Sequence, residues 1–256
     1  MDHLKLTGFV LRAVDYGESD RVITLLTREQ GKVSAFARGA RASRKRFGGA
    51  LEPFTLLTAE ARSRGGSDLL GLDSVSVERG FGGIRADLAR IACAGYAAEL
   101  ARELLRDHEP HPELFDLLGG YLALLDGAPA RPAALRAFEL WALRAAGLMP
   151  RLDACARCGE PLDEAPRLRF DPGHGGALCL ACTPAASPGC PGLAPATLAA
   201  LRRLQEGGLA AAAGEPLAPP AGREAREALG AFVEFQLGRR LAARRFLDEV
   251  GPLLGE

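Results

Sequence analysis

The sequence predicts an α+β multidomain fold: a small five-stranded barrel, then a helical bundle with a cysteine module inserted into it. Three observations predict this. The first eighty residues hold five short runs of alternating apolar and polar residues; from Ile84 the apolar residues recur every three to four positions instead; and Cys155-Ala156-Arg157-Cys158 is answered by Cys179-Leu180-Ala181-Cys182. At 256 residues the chain has room for one large domain or two to three small ones with their own cores. The expected boundaries are 1–80 for the barrel, 81–152 for the helical domain, 153–192 for the cysteine module, and 193–256 for C-terminal helices that pack on the helical domain.

Leu4 to Val14 alternates, with apolar residues at 4, 6, 9 and 11, and slips phase near Gly8, which marks a bulge or bend. Asp15 to Asp20 is turn chemistry, Arg21 to Thr27 is β-branched and apolar, and Glu29-Gln30-Gly31 turns into Lys32–Ala37. A fourth strand is expected over Leu51–Ala61, with Pro53 near its start where a missing N–H is tolerable. Gly65-Gly66-Ser67 then turns into a fifth, Asp68 to Val77. Five strands within eighty residues are too few for a sandwich and fit a small closed barrel of the oligonucleotide-binding type. An SH3-like barrel or an unrelated five-stranded sheet has the same strand count.

Leu88, Ala92, Tyr96, Leu100 and Leu104 form one stripe of a first helix, which Pro110 and Pro112 end. Leu114–Leu125 and Ala133–Ala146 follow the same period, the second ending at Gly147 with Pro150 beyond. After the cysteine module a helix resumes at Pro195 to Leu204, a linker runs through Pro220, and a last long helix spans Arg223 to Val250. Its Leu229, Val233, Leu237, Leu241 stripe faces the bundle. Arg239, Arg240, Arg244 and Arg245 near its C-terminal end suit the helix dipole and solvent better than a role in binding an anionic partner.

Between the third and fourth strands, Arg38-Gly39-Ala40-Arg41-Ala42-Ser43-Arg44-Lys45-Arg46-Phe47 packs five cations into nine residues with no acid among them. Such a charge run is often only a solvated loop. Five mutually repelling cations nevertheless point to an anionic partner, and a loop of this kind can follow a phosphate backbone without reading its sequence. The formal net charge of the chain is zero, so nucleic-acid binding has to come from local patches. Residues 1–80 carry 13 Lys and Arg against 10 Asp and Glu, the remainder 19 against 22, which favours the first domain.

Two Cys-x-x-Cys knuckles, Cys155/Cys158 and Cys179/Cys182, make the chain's most specific signal. Each directs two sulfurs at one metal, and together they complete a tetrahedral zinc site. Four thiolates leave no position for water, so one structural zinc ion is expected. A redox pair lacks its βαβ context. His174 reads as a loop histidine, Cys93 as a core residue and Cys190 as a free thiol.

No phosphate-binding GxxxxGK[ST] loop, GxSxG elbow, HExxH pair or GxGxxG after a strand is present, and the four histidines are scattered. Asp15, Glu18 and Asp20 read as solvated turn residues rather than a Mg²⁺ site. The expectation is a protein that is not an enzyme. With no apolar run long enough to span a membrane and no leader-like start, it is expected to be cytoplasmic. A reducing compartment keeps thiols free, so the six cysteines need an explanation other than disulfides.

Several stretches together resemble the RecO family of bacterial recombination mediators. They are Asp15-Tyr16-Gly17-Glu18-Ser19-Asp20-Arg21, Thr27-Arg28-Glu29-Gln30-Gly31-Lys32, Ala37-Arg38-Gly39-Ala40-Arg41 and Arg46 through Phe54. Tyr96 to Leu100, Phe138-Glu139-Leu140, Gly147 to Pro150 and the first cysteine knuckle follow in the family's order. The resemblance covers nearly the whole chain and weakens after Cys182. It implies an oligonucleotide-binding barrel, a helical domain and a four-cysteine zinc module. It also implies binding of single- and double-stranded DNA, annealing without nucleotide hydrolysis, and, with RecR and in some lineages RecF, loading of RecA onto DNA coated by the single-strand-binding protein SSB. SSB's acidic tail would dock in the helical region, for which Arg131, Arg136 and Arg144 are candidate contacts. The DNA-binding set is Lys32, Arg38, Arg41, Arg44, Lys45, Arg46 and Phe47, with Phe36 and Tyr16 able to stack on bases. The rival reading is a protein adaptor whose basic loop binds an acidic partner tail; a nuclease ranks third.

Overall fold

The computed structural model describes residues 3–63, 67–162, 168–183, 189–214 and 216–251, with only the backbone of Arg44. The expected architecture is present: a closed five-stranded barrel, helices after it, and four clustered cysteines between helices. The chain divides into two compact units, Met1–Ala128 and Pro129–Glu256.

In the first unit, β1 (His3–Tyr16), β2 (Asp20–Thr27), β3 (Gly31–Ala37), β4 (Leu56–Arg62) and β5 (Leu69–Arg79) close in the order β1-β2-β3-β5-β4. Only the β3–β5 pair is parallel. β1 is long enough to serve two neighbours, β4 through His3–Phe9 and β2 through Gly8–Tyr16. Its irregularity falls between Val10 and Arg12 rather than at Gly8. The phase slip has a packing cause, because both faces of β1 are covered there. Val10 points into the barrel core, while Phe9 packs against Phe81 and against Phe115 of α3 (Pro112–Gly127). Gly119 of α3 admits the Phe9 ring, which would stand 3.0 Å from a Cβ there. Gly8 instead lets β1 lie close on Leu26 and Thr27.

The fourth strand starts later than expected. Residues 51–55 form a turn, with Leu51 in the core and Phe54 at φ 69, a conformation that cannot continue a strand. Asp87 caps α2 (Leu88–Leu104) by accepting the Arg90 N–H. On α2 the buried stripe runs through Ala92, Tyr96 and Leu100, whereas Leu88 is 51% exposed. The turn at Gly65-Gly66 lies outside the described residues.

In the second unit, α4 (Pro132–Ala145), α5 (Pro195–Gly214) and α6 (Pro219–Leu237) pack together, and a small sheet β7-β6-β8 (Gly176–Leu178, Leu168–Asp171, Gly192–Leu193) leads from the end of β7 directly into Cys179. The helix from Pro195 runs past Leu204 to Gly214, with Gly208 out of helical geometry at φ 57. The expected single helix over Arg223 to Val250 is two. Gly238, left-handed at φ 65, ends α6, and α7 (Ala242–Val250) follows. Arg244 and Arg245 therefore stand in the first turn of α7, the end a helix dipole disfavours for cations. Arg244 is held there by Asp248 at 2.9 Å and by the Arg226 carbonyl, over Gly230, where any Cβ would strike its guanidinium. No helix among the described residues is long and apolar enough to cross a membrane.

Candidate nucleic-acid interface and metal centre

Alternation along the strands decides which side chains leave the barrel. Lys32, Ser34 and Phe36 of β3 face outward while Val33, Ala35 and Ala37 are buried. The register sets Val14 beside Val22 and Val22 beside Phe36, with Arg12, Thr24 and Ser34 in the next outward row. Tyr16, 61% exposed, meets Phe36 edge to face at 5.7 Å between ring centres. Arg38 follows directly at the end of β3 and is exposed. The result is an apolar, aromatic surface with Arg12 and Arg38 near its two ends. Arg12 is absent from the sequence-based set, although the outward alternation Arg12-Val14-Tyr16 carries the signal.

The basic stretch is not a free loop. Gly39, at φ 66, donates its N–H to Asp20 Oδ1 at 2.7 Å, and the Arg41 N–H is bound by the Ser19 carbonyl at 2.9 Å. A single helical turn, α1 (Arg44–Phe47), places Phe47 and Leu51 in the barrel core. Phe47, expected to stack on DNA, is buried among aliphatic residues and cannot do so; hydrophobic burial, not the neighbouring charge, decides its place. Arg38, Arg41, Lys45 and Arg46 remain exposed. The side chain of Arg44 lies outside the described residues. Arg46 spans the segment, donating to the Arg38 carbonyl at 2.8 Å and to Ser43 Oγ at 3.3 Å.

Acids of the β1–β2 turn border these cations. Asp15 binds Arg21 at 2.9 Å and approaches Arg41 at 3.8 Å, and Arg41 also donates to the Glu18 carbonyl. The Glu52 carboxylate, then Asp15, hold the Arg21 guanidinium above its ordinary pKa against the opposing effect of its own burial. Lys32, expected to help neutralise phosphate, is only 16% exposed. Its ammonium is occupied by Asp107 at 3.1 Å and the Arg102 carbonyl at 2.9 Å, which makes it a strut between barrel and helices of the first unit.

In the second unit the two knuckles converge. Arg151 runs beside β7, where Gly176 leaves no space for a Cβ, and Ala156 N–H donates to the Ala177 carbonyl, bringing the first knuckle onto the strand that leads to the second. Gly159, at φ 81, closes the first knuckle with its N–H on the Cys155 carbonyl. The four sulfurs lie within 4.8 Å of one another, and Cys158 and Cys179 are 3.8 Å apart. A tetrahedron with metal–sulfur bonds of about 2.3 Å has edges of about 3.8 Å, so the donor set fits a four-thiolate metal centre with no open position.

The sulfurs are electrostatically unequal. Burial alone would raise the Cys155 thiol, but the N–H groups of Cys158, Cys179 and Arg157 bring it down to about 6. Cys182, sharing its proton first with the Cys158 sulfur, is pushed up to about 12. The Glu160 N–H draws Cys158 down, yet the Cys155 sulfur and burial leave it raised. His174 stands apart from the cluster, bound through Nδ1 to Asp171 at 2.8 Å. Burial pushes the Asp171 carboxyl up, but this bond and the N–H groups of His174 and Gly173 hold it below its ordinary range.

The three arginines expected to meet a partner's tail separate. Arg131 and Arg144 are exposed, and Arg144 stacks 4.9 Å over Trp141, whose Nε1–H donates to the Leu204 carbonyl. Arg136 is wholly buried and paired with Glu139 at 3.1 Å, so it cannot reach a partner.

Residues 1–81 match the model described as Recombination protein O N terminal, and residues 85–245 the model described as Recombination protein O C terminal. The chain is 79% identical over 255 residues to a protein of Anaeromyxobacter dehalogenans (strain 2CP-C) named DNA repair protein RecO, covering all of both chains. Proteins of the same name from Myxococcus xanthus (51% identical; 95% of this chain, 96% of that one) and Geobacter sulfurreducens (41%; 98% and 100%) are similar over nearly their full lengths.

Proposed function

The chain belongs to the RecO family of DNA repair proteins, and from that premise we propose that it is a recombination mediator that binds single- and double-stranded DNA, anneals complementary strands and, with RecR, promotes RecA loading on SSB-coated DNA. The observation that carries this reading is the pairing of an exposed aromatic surface, Tyr16 on Phe36, with exposed cations at the end of the same strands. Unpaired bases stack on the rings, and Arg38, Arg41, Arg44, Lys45 and Arg46 neutralise phosphates. Annealing needs two strands brought together with their repulsion screened, and a cationic surface does this without a catalytic group. The protein would act in the cytoplasm at the nucleoid, with RecF as a further partner where a lineage has one. Arg131 and the Trp141–Arg144 stack are the sites offered to an acidic SSB tail.

The four thiolates would hold one zinc ion with a structural role, pinning the 151–193 region. The test of the function is annealing of SSB-coated complementary strands by the full chain, with and without the cations of the 38–46 segment. Annealing that disappears with those cations supports the reading; annealing unchanged refutes it. One observation favours a second reading. Arg41 already faces the Asp15 carboxylate, so the segment accepts carboxylates, as an adaptor for an acidic protein tail would. Binding of naked single-stranded oligonucleotide separates the two.

A further inference from the structure

A carboxylate beside a DNA-binding cation cluster repels the phosphates the cluster attracts, and within a Debye length of about 8–10 Å that repulsion is felt. Asp20 is such a carboxylate. It is the first residue of β2, lies opposite Tyr16 in the register, and touches the root of the basic segment. Unlike Asp15 and Glu52, which face arginines, Asp20 makes no ion pair among the described residues. Its Oδ1 instead accepts the Gly39 N–H at 2.7 Å and the Ser19 hydroxyl at 3.2 Å.

Gly39 is where the chain leaves β3, at φ 66, a left-handed conformation. The Ser19 carbonyl holds the next turn through the Arg41 N–H, and the Arg46 guanidinium lies over Gly39, 3.2 Å from where a Cβ would sit. Of these ties, the Asp20 carboxylate is the one made by a side chain that is not itself a proposed phosphate ligand. A charge-assisted bond this short to a backbone N–H fixes the direction in which the segment departs.

We propose that Asp20 is a positioning residue of the DNA interface: by binding the Gly39 N–H it sets the path of the 38–46 segment, so that the exposed cations fall in line with the Tyr16–Phe36 surface. The inference rests on the DNA-binding reading above. It predicts that geometry outweighs charge at this position, so two substitutions that remove the same negative charge part company: the one that keeps the tether holds or improves binding, and the one that removes it weakens binding.

The experiment measures affinity of the full chain for a fluorescent oligothymidylate across a salt series, with thermal melting of each variant. Asp20→Asn keeps an oxygen for the Gly39 N–H and removes repulsion; it binds as tightly as the parent or up to about threefold tighter. Asp20→Ala removes the tether; it binds about fivefold or more weaker, and its salt slope is shallower by roughly 0.7 for each phosphate the displaced cations no longer neutralise. Asp20→Glu, which keeps the charge but displaces the carboxylate by a methylene, also weakens binding and flattens the slope, and it decides the matter should Asp20→Ala fail to fold. Alanine or glutamate variants that match Asp20→Asn or the parent in affinity and slope overturn the proposal. A variant with Arg38, Arg41, Lys45 and Arg46 changed to Ser is measured alongside. If it too binds like the parent, the DNA-binding reading itself has failed; if it alone binds more weakly, only the role of Asp20 has.

Discussion

Tyr16 and Phe47 both have arginines within a few positions, yet they serve opposite ends. Tyr16 stands out from the barrel against Phe36, and Phe47 fills the barrel core. Tyr16→Ala is expected to weaken oligonucleotide binding by about 1–3 kcal/mol, the usual worth of one stacked base, while leaving the melting temperature within a degree or two. Phe47→Ala is expected to do the reverse, costing about 3–5 kcal/mol of stability through the cavity it leaves. Titration of each variant beside its thermal unfolding curve checks both. Strand alternation makes the outward side of Phe36 legible in the sequence. The burial of Phe47 is not legible there, because a four-residue helical turn, too short to show a period, aims its side chain. Lys32 shows the same limit: alternation sets it outward, but the acid that claims it, Asp107, lies 75 positions away.

At the scale of elements, the cysteine knuckles are the most legible part of the chain, since the chemistry of a four-thiolate site fixes the spacing in each pair and two pairs suffice. Chelation, or Cys155→Ser, is expected to lower the melting temperature of metal-loaded protein, with the metal counted by elemental analysis. The thiol charges give this a pH dependence. Cys155, depressed to about 6, is a thiolate at neutral pH, and the stabilisation from its N–H contacts is lost as pH falls through 6. Cys158 and Cys182, both raised, still carry protons at neutral pH, so metal uptake there expels at least those two. Zinc affinity should therefore fall steeply as pH is lowered, by about a hundredfold per unit for two displaced protons, and more steeply below 6. A competition titration with a chromophoric chelator at several pH values measures the slope.

The helices show where periodicity stops informing. Arg136 is expected on a binding face, yet it is buried with Glu139 three positions on, a pairing that period alone does not separate from an exposed i,i+3 pair. Removing one partner of such a buried pair typically costs about 3–5 kcal/mol, so Arg136→Ala should lower stability sharply in denaturant unfolding, where Arg131→Ala should not. The break at Gly238 is hidden for a related reason. The stripe from Leu229 through Leu241 continues across it, because Leu241 is buried on the far side as well.

The whole molecule is two units whose division, between Ala128 and Pro129, is not marked by any change in the sequence's period. Barrel, helices and cysteine module are each readable from pattern, because each has its own repeat or spacing. The way α2 and α3 group with the barrel is not, because it depends on long-range packing such as Phe9 against Phe115 and Arg28 with Asp116. A chain with a formal net charge of zero can bind a polyanion only through a local concentration of cations, and the DNA binding we propose draws on the 38–46 segment, tied to the end of the barrel. The most direct test is the salt dependence of single-strand binding by the full chain, compared with a variant in which Arg38, Arg41, Arg44, Lys45 and Arg46 are all Ser. The parent's slope of log affinity against log salt should be steeper than the variant's by roughly 2.8 to 3.5, four to five neutralised phosphates at about 0.7 each. Equal affinities and equal slopes would contradict the account.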